Sequence, residues 1–426
     1  MSNFLRGFGK DFDQSLRETL RQIRGRGKDQ AEKFEKDKPI LEKLLTRFNP
    51  FPADHVFKED FLVGAVDGSG VAPLLQYEDV IVHLVTANLA LYDTNTRQGE
   101  PMKSVGMDQI PIQSNGRLTE AFWISMDETQ KGQRFLDFIE RAYDVDDVNE
   151  ILYAFFSEIK RRPITSIKEL QEYPEFRRVK SLKEVVVFPP ALATSRIQDH
   201  VRWIAEAALA KRALESKLNL KYLFLDGALS LVMGREQRFP ILVPNYMVRD
   251  VCVRARKKGT TVAGVSKSHT IPCWGLIADL ARDHFGRGCH WFCRLPGDQG
   301  PEGKKLNILK GRRQIPPTNA VTYLFRFSDD MPVLRIDFDR IRWNRNILSI
   351  DEDRFRMNEI QLFQEIDFLS HDARWYGYPC PLSFAHLLTT IAGEGRALVM
   401  DQAITIAKEE GFDEEKLIPA RARIGI

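Results

Sequence analysis

Two aspartates in this chain stand directly after apolar, strand-like segments. Asp67 follows the segment FLVGAV, Asp226 follows YLFL, and a glycine comes next in both cases. Small residues at that point let a phosphate group or a metal ion approach the main chain closely. Carboxylates at neighbouring strand ends are the oxygen ligands that Mg²⁺ and Mn²⁺ favour. Each Asp-Gly pair is also a common turn, but its repetition after two apolar segments indicates a metal site.

A third carboxylate should come from the helix predicted over residues 197–218, before the second of these strands. Glu206 and Glu215 are the candidates. They are nine residues apart, which at about 100° per residue places them on opposite helix faces. Only one of them can point at the sheet. Both faces are partly apolar, so the periodicity leaves the choice open.

Three further side chains could act on a phosphate. His386 lies about one turn into a helix that Pro381 should begin, and its imidazole could bind a metal or contact a phosphate oxygen. Tyr378, shortly before that helix, could hydrogen-bond a substrate. Lys267 follows the predicted strand 261–265 and could neutralise phosphate charge. A structural histidine and a solvated turn lysine are the alternatives for two of them.

Several basic residues could bind a DNA backbone. Arg335 alternates with Asp337 on a predicted strand, either as a phosphate contact or as a structural ion pair. Basic residues also cluster in two stretches, which contain Arg254, Arg256, Lys257 and Lys258, and then Lys304, Lys305, Lys310, Arg312 and Arg313. Because phosphate contacts carry no base readout, such clusters suit binding without sequence preference.

A zinc site is the alternative metal centre. His269 and Cys273 have a three-residue spacer, as do Cys289 and Cys293. This spacing is looser than the common C-x₂-C pattern, and the segment around Cys293 is also typical of a buried strand. All five cysteines fall between residues 252 and 380 without regular spacing, which argues against a secreted disulfide framework.

Apolar periodicity predicts strands interleaved with helices, which indicates an α/β fold with a mixed sheet. The predicted strands cover residues 61–66, 80–91, 184–188, 221–225, 261–265, 320–327 and 333–338, and the later helices cover 357–368, 381–392 and 397–409. Residues 105–182 carry no chemical motif and are predicted to be a mostly helical insertion. The expected division is an N-terminal helical segment over 1–55 and a single domain over 56–426.

The N-terminal segment is predicted to contain two helices. An apolar residue recurs every three or four positions from Phe4 to Ile23, Gly25 and Gly27 then interrupt the pattern, and a second helix should end at Pro50. The apolar stripe either covers the protein's own core or forms a docking surface for a second subunit.

The order of these short motifs resembles that of the NurA nuclease family over roughly residues 60–392. The segments that carry the resemblance are Asp67-Gly68-Ser69, Leu225-Asp226-Gly227, Gly264-Val265-Ser266-Lys267, Arg335-Ile336-Asp337 and the stretch GYPCPLSFAH from Gly377 to His386. Each segment is weak alone, and their shared order is the specific signal.

The resemblance implies a ribonuclease H-like, Piwi-like core and a Mn²⁺- or Mg²⁺-dependent DNA nuclease with two ions. It favours Glu206 over Glu215 beside Asp67 and Asp226 as metal ligands, with His386 as a further ligand and Tyr378 completing the site. It also implies a homodimer that works with a hexameric HerA-type translocase ATPase.

From the resemblance we expect a 5′-to-3′ exonuclease and single-strand endonuclease in DNA end processing or phage defence. A non-catalytic DNA-binding adaptor of a ring ATPase is the main alternative, and a nucleotidyl transferase is a third. The chain has no P-loop, so it should not be an ATPase itself. It lacks the roughly 20 consecutive apolar residues of a membrane span, so we expect a cytoplasmic protein. Its net charge of +3 excludes little.

Overall fold

The structure is a computed structural model. It describes residues 2–52, 55–95, 103–105, 116–125, 128–174, 177, 180–182, 194–229, 242–297, 305–310, 319–327, 329–371, 377–391 and 394–419. The strand predicted at 184–188 lies outside the described residues. None of the helices within these ranges is long and apolar enough to cross a membrane.

Strands and helices alternate along the chain, as the periodicity predicts. The strands are β1 (Leu45–Phe48), β2 (Leu62–Tyr77), β3 (Val80–Asp93), β4 (Lys103–Val105), β5 (Arg117–Ser125), β6 (Leu220–Asp226), β7 (Thr261–Ser266), β8 (His290–Leu295), β9 (Ala320–Arg326), β10 (Leu334–Asp339) and β11 (Leu417–Pro419). The helices are α1 (Ser2–Leu44), α2 (Glu128–Tyr143), α3 (Asn149–Lys160), α4 (Ile167–Gln171), α5 (Thr194–Glu215), α6 (Leu242–Lys258), α7 (Trp274–Phe285), α8 (Arg340–Asn346), α9 (Glu352–Phe368), α10 (Cys380–Thr389) and α11 (Glu394–Glu409). Short 3₁₀ helices cover Asn307–Leu309 and Glu414–Lys416.

The strands form one mixed sheet with the order β1-β8-β9-β10-β7-β6-β2-β3-β4, to which β5 is added beside β3 and β11 beside β2. Towards the end of the sheet opposite β1, strands β2, β3 and β5 are an antiparallel meander. Strand β6 then runs parallel to β2, and β7 runs parallel to β6. Three antiparallel strands followed by two parallel ones are the ribonuclease H-like arrangement expected for this mixed α/β chain.

Helices cover both faces of the sheet, so alternate residues of the central strands enter different cores. Val66 and Leu225 belong to a core shared with α2, α3, α5 and α6. Ala65 and Phe224, one residue earlier in each strand, belong to a core on the other face, shared with α8, α9 and α10. A side chain's face therefore follows from its parity in the strand.

Strand β2 is much longer than predicted and runs on as far as Tyr77, whereas its parallel neighbour β6 ends at Asp226. Pairing with β3 holds this extension, because Gly68, Ser69 and Gly70 all have register partners there. The expectation that Asp67 ends its strand is therefore wrong: Asp67 is internal to β2, and only Asp226 stands at a strand end.

The two-helix prediction for the N-terminal segment is also wrong. Helix α1 runs unbroken for 43 residues through Gly25, Gly27 and Pro39. Its last turns are held by buried Phe34 and Leu41, whose packing outweighs the unfavourable helix propensity of these breakers. The predicted second helix ends early, because Leu45–Phe48 instead form β1 and pair with β8 at the edge of the sheet.

The stretch predicted as a mostly helical insertion, residues 105–182, contains a strand of the antiparallel meander. Strand β5 pairs with β3 along its whole length, from Arg117 to Ser125. The helical part of the prediction is correct for α2, α3 and α4. Helices α2 and α3 also supply buried side chains, such as Phe138 and Phe155, to the core around α5 and α6.

Candidate active site

Asp67 and Asp226 project from the same face of the sheet. Asp67 has the parity of Val63 and Ala65, and Asp226 has that of Tyr222 and Phe224, all of which belong to the core shared with α10. The strands that carry the two aspartates are parallel neighbours, with Val66 beside Leu225. The juxtaposition expected from the sequence is therefore present.

Asp67 is buried and has two hydrogen-bond partners. The imidazole Nδ1 of His386, on α10, lies 2.6 Å from its Oδ2, and the Gly68 amide donates to its Oδ1 at 2.7 Å. Burial raises the pKa of Asp67 and the negative charge of Asp226 raises it further, while the contact with His386 lowers it. Two carboxylates therefore repel each other in a partly desolvated place, which is the electrostatic setting of a cation site.

Asp226 is contacted from the loop before α10. The buried Tyr378 hydroxyl donates to its Oδ1 at 3.1 Å. Burial raises the pKa of Tyr378 well above its usual value, and the charge of Asp226 adds to that effect. The ammonium of Lys267, at the end of β7, lies 4.0 Å from the centre of the Tyr378 ring. Tyr378 thus joins Lys267 to Asp226.

Glu206 approaches β2 from the opposite face, through α5. A Cβ atom placed on Gly68 would lie 2.7 Å from Glu206 Oε1 and 2.9 Å from Arg202 Cγ, so glycine is what lets this carboxylate come close. Arg202 pairs with Glu206 at 3.2 Å. Burial raises the pKa of Glu206 to about 8; the charges of Asp67 and Asp226 add to the rise, and Arg202 opposes it.

The other candidate on α5, Glu215, belongs to a different cluster. Its carboxylate is 2.6 Å from Arg254 and 3.9 Å from Lys211, and its side chain is partly exposed. The negative charges of Asp67 and Asp226, by contrast, both raise the pKa of Glu206. The structure therefore places Glu206, not Glu215, beside the aspartates.

Gly264 is a part of the site that the sequence analysis missed. The chain leaves Asp226 through Gly227, whose φ is +98°, and crosses directly over β7. A Cβ on Gly264 would lie 2.5 Å from the Gly227 carbonyl oxygen and 2.8 Å from the Leu229 amide nitrogen. In the motif Gly-Val-Ser-Lys the glycine therefore matters as well as the lysine, because it allows this crossing.

The ligand atoms at this site are of the chemical type that a hard divalent cation prefers. Asp67 and Asp226 offer carboxylate oxygens from one face, which Mg²⁺ and Mn²⁺ favour, and mutual repulsion disfavours their both being charged without a counterion. The Glu206 carboxylate lies beside Gly68, on the other face of β2. His386 is hydrogen-bonded to Asp67. Within the described ranges, no three His, Cys, Asp or Glu side chains are already grouped closely enough to hold a metal ion.

The described arginines expected to bind DNA form ion pairs within the chain, whereas several of the lysines are exposed. Arg335 is buried, its Nε donates to Asp337 Oδ1 at 3.1 Å and its Nη2 lies 2.8 Å from Oδ2, which favours the structural ion pair over the DNA contact. Arg256 pairs with Asp339, and Arg254 with Asp250. Lys267 and Lys310 are exposed, and Lys305 is half-buried. Lys257 and Lys258 are exposed, and Lys304, Arg312 and Arg313 lie outside the described residues.

The four side chains of the alternative zinc site have other partners or surroundings. His269 Nε2 is 3.0 Å from the Val333 carbonyl oxygen, and Cys289 Sγ donates to carbonyl groups at the end of α7. Burial raises the pKa of Cys293 to about 12, so this thiol stays protonated. Cys273 contacts Gln30 of α1. These four residues are described, and they form no group that could hold zinc.

The chain is similar in structure to NurA nucleases. The crystal structure of the NurA nuclease from Sulfolobus solfataricus matches 93% of this chain and 98% of that chain, at 12% identity and a TM-score of 0.45. A crystal structure of NurA bound to dAMP and manganese matches 95% and 98%, at 12% identity and a TM-score of 0.38. No protein-family model and no curated protein matches. These identities and TM-scores are low, so the assignment of the fold and of the site rests on the strand topology and side-chain contacts of this chain.

Proposed function

We propose that this chain is a metal-dependent DNA nuclease that hydrolyses phosphodiester bonds at Asp67 and Asp226. The observation that carries the proposal is the pair itself: two carboxylates on one sheet face, each held by a side chain from the GYPCPLSFAH segment. The same segment supports the resemblance to the NurA family. An aspartate that only stabilises a turn would not be expected to hydrogen-bond side chains so distant in the chain.

Each residue of the site has a distinct role in this proposal. Asp67, Asp226 and Glu206 would hold Mn²⁺ or Mg²⁺, with His386 as a further ligand. A bound pair of such ions activates water and stabilises the leaving oxygen. Tyr378 orients the Asp226 carboxylate through its hydroxyl group. Exposed Lys267 is suited to offset charge that develops on the phosphate.

His386 suits a proton-transfer role as well as a ligand role. Its Nδ1 faces Asp67 while more than half of its side chain is exposed, so the ring joins the buried carboxylate to solvent. Imidazole is the side chain that most often serves as a general acid or base in enzymes. Asp67 fixes the orientation of that ring.

The resemblance supports further proposals about the biological setting. They are 5′-to-3′ exonuclease and single-strand endonuclease action, a homodimer, and cooperation with a HerA-type hexameric ATPase in DNA end processing or phage defence in the cytoplasm. Digestion of end-labelled DNA with and without such an ATPase tests the polarity and the partnership. Products that shorten from the 3′ end would contradict the polarity.

The decisive experiment is digestion of labelled single-stranded and double-stranded linear DNA in EDTA, Mg²⁺ or Mn²⁺. We expect cleavage only with a divalent ion, and a loss of about 100-fold or more in Asp67→Asn and Asp226→Asn, since each removes a charged ligand. Glu206→Gln should also lose activity, whereas the matched change Glu215→Gln on the same helix should not. Full activity in EDTA would refute the proposal.

The adaptor alternative gives a different result in the same assay. A non-catalytic DNA-binding subunit would bind the labelled DNA in every buffer and cleave it in none. The aspartate variants would then behave like the wild type. Incorporation of a labelled nucleotide into the DNA, instead of cleavage, would indicate the nucleotidyl transferase.

A further inference from the structure

Asn88 on β3 is a polar side chain buried in an otherwise apolar part of the sheet. It is fully buried, and Ala90, which has the same parity in the strand, belongs to the core shared with α10. Tyr92, two residues further on, contacts Phe384 of that helix. A buried amide is tolerated in such surroundings only when its donor and acceptor atoms have partners. The partners of Asn88 therefore indicate what the residue does.

Both ends of the Asn88 amide are hydrogen-bonded. Its Nδ2 donates to the Leu388 carbonyl oxygen at 3.1 Å, and its Oδ1 accepts from Arg117 Nε at 2.9 Å. Because a carbonyl only accepts and a guanidinium only donates, these two partners fix which end of the amide faces which neighbour. Asn88 thus connects α10, which contains Leu388, to β5, which begins at Arg117.

Asn88 also lies directly beside Asp67 in the sheet. The two residues are register partners across β2 and β3, and Arg117 is the register partner of Asn88 on β5. Directly opposed residues of antiparallel strands project from the same face, with Cα atoms about 4.5–5.5 Å apart. Asp67 and Asn88 therefore contact one helix from neighbouring positions. Asp67 meets His386, and Asn88 meets Leu388, two residues later in α10.

The last carbonyl groups of α10 need partners that the helix itself does not supply. The final four carbonyls of a helix have no intrahelical donor. The His386 carbonyl accepts from the Thr390 amide and from the hydroxyl groups of Thr389 and Thr390, all of them local. The Leu388 carbonyl accepts from Asn88, 300 positions away in the chain. Asn88 therefore fastens to the sheet the helix turn that carries His386.

The beginning of α10 is held separately. The Cys380 amide donates to the Leu369 carbonyl at 2.8 Å, and Tyr378, just before the helix, donates to Asp226. The helix has 10 residues, and His386 lies in its second half, beyond these contacts. Without the bond from β3, the His386 turn loses an anchor of its own, so its ring can shift relative to the sheet.

We propose that Asn88 is a positioning residue for the cleavage reaction: it holds the last turn of α10 so that His386 meets Asp67. Arg117 keeps the amide in the orientation that this bond requires. The inference rests on the nuclease proposal, because the role of His386 in cleavage does. Asn88 acts through the His386 ring and not on the phosphate. A displacement of about 1 Å at a reacting group is enough to lower a rate by about 100-fold.

The first test observes the His386 ring directly, without cleavage. NMR spectra of the metal-free chain with isotope-labelled histidine are recorded in EDTA at one fixed pH, and His386→Gln identifies the signals of this ring. We expect Asn88→Ala to shift the Nδ1 signal of His386, because the short bond from Nδ1 to Asp67 is then lengthened or lost.

Thr86→Val is the matched control for Asn88→Ala. Thr86 is buried on the same strand and the same face, two residues earlier, and its hydroxyl is 3.0 Å from that of Thr119 on β5. The substitution therefore removes a side-chain bond between β3 and β5 at a position whose partner is on β5 and not on α10. The His386 signal should stay where it is in the wild type.

The second test is a double-mutant cycle in the rate of DNA cleavage. Asn88→Ala should lower kcat about tenfold or more and leave KM nearly unchanged, because the ring is misplaced while DNA binding is not. In a His386→Ala background the same substitution should lower kcat by less than about twofold, since residues that act as a unit are not additive. A merely structural role would give the same factor in both backgrounds.

Arg117→Met is a second variant that leaves the core intact. The Arg117 side chain is exposed, and methionine removes the Nε donor that orients the Asn88 amide. We expect the His386 signal to move in the same direction as in Asn88→Ala, by a smaller amount. This variant decides the question if circular dichroism shows that Asn88→Ala does not fold.

Each result decides the inference. A displaced His386 signal together with a non-additive loss of kcat supports it. A His386 signal that stays in place in the folded Asn88 variant, or in the Arg117 variant where only that one folds, overturns it. Equal losses of kcat in the two backgrounds overturn it as well. A wild type that cleaves no DNA refutes the nuclease proposal and the positioning role with it, whereas an unmoved NMR signal in a chain that cleaves DNA refutes the positioning role alone.

Discussion

The imidazole Nδ1 of His386 lies 2.6 Å from Oδ2 of Asp67, although 319 positions separate the two residues in the chain. The partners differ in exposure: the His386 side chain is 57% exposed and that of Asp67 is 2% exposed. The contact therefore joins a buried carboxylate on β2 to an accessible ring on α10. Removing the ring perturbs the site without opening the core.

From this contact we expect His386→Ala to lower the initial rate of DNA cleavage by about 100-fold or more, the usual contribution of a positioned acid or base. The melting temperature should change little. Leu387→Ala, the adjacent exposed position on α10, is the matched control and should keep full activity. A variant that cleaves DNA at the wild-type rate would remove His386 from the site.

The close passage of the Gly227–Leu229 backbone over Gly264 predicts the effect of a substitution on stability. Gly264→Ala places a methyl group against the Gly227 carbonyl and the Leu229 amide, which are backbone atoms that cannot move aside. We expect the free energy of unfolding to fall by about 2 kcal/mol or more, as for other overpacked sites. Urea denaturation measures this loss.

The control for Gly264 is a glycine of helix α7. A Cβ at Gly275 would meet nothing within 4 Å, and Gly275→Ala should stabilise the chain by up to about 1 kcal/mol because alanine favours the helix. Equal changes in the free energy of unfolding for the two substitutions would show that the fold does not require the segment after Asp226 to pass close to β7.

His83 makes the stability of the chain depend on pH. It is buried on β3, and burial lowers the pKa of its imidazole to about 4, with a contact from Gln198 opposing the shift. In the unfolded chain the pKa is about 6.5, so the unfolded state binds the proton more tightly. The contribution of neutral His83 to the free energy of unfolding is fully present above pH 6.5. It is lost as the pH falls from 6.5 towards 4, and the whole loss is about 3 kcal/mol.

Denaturant titrations at pH 7 and pH 4.5 measure this dependence. His83→Gln should reduce the drop in the free energy of unfolding between the two pH values, because glutamine does not titrate. The exposed His284 serves as the control, and His284→Gln should leave the drop as it is in the wild type. An undiminished drop in the His83 variant would show that other groups cause the acid sensitivity.

Lys267 and Arg335 should respond differently to removal of charge. Lys267 is exposed, so Lys267→Met should leave stability unchanged, weaken DNA binding in EDTA, and reduce the slope of log K against log salt by about 1. Arg335→Met removes the cationic partner of buried Asp337, although donors from Thr322 and Leu229 remain, and should cost about 3 kcal/mol of stability. A salt slope unaltered by the Lys267 change would place this lysine off the DNA path.

The sequence predicts the central elements because their apolar runs are strong. Strands β3, β6, β7, β9 and β10 and the helix carrying Glu206 lie where periodicity puts them. The sequence pattern predicts the end of β2 too early, because Gly68, Ser69 and Gly70 resemble a turn but pair with β3. It also misses β5, whose pairing with β3 comes from partners distant in the chain.

The candidate site is predictable in its residues but not in its arrangement. Parity and the motifs bring Asp67, Asp226 and Tyr378 to one place, as the structure has them. No periodicity indicates that Glu206 comes from the other face through the space left by Gly68. The pairing of Arg335 with Asp337 was an open alternative, because spacing alone cannot distinguish an internal ion pair from a phosphate contact.

The unequal lengths of β2 and β6 place the two carboxylates in an inside corner. Asp226 stands at the top of the shorter strand, while the hairpin of β2 and β3 rises past Asp67 as a wall on one flank. Among the described residues, this hairpin limits the approach of a polymer to the two acids from its own side. Such a recess accommodates a slender, flexible strand better than a stiff duplex, so unpaired DNA should be the preferred form of the substrate.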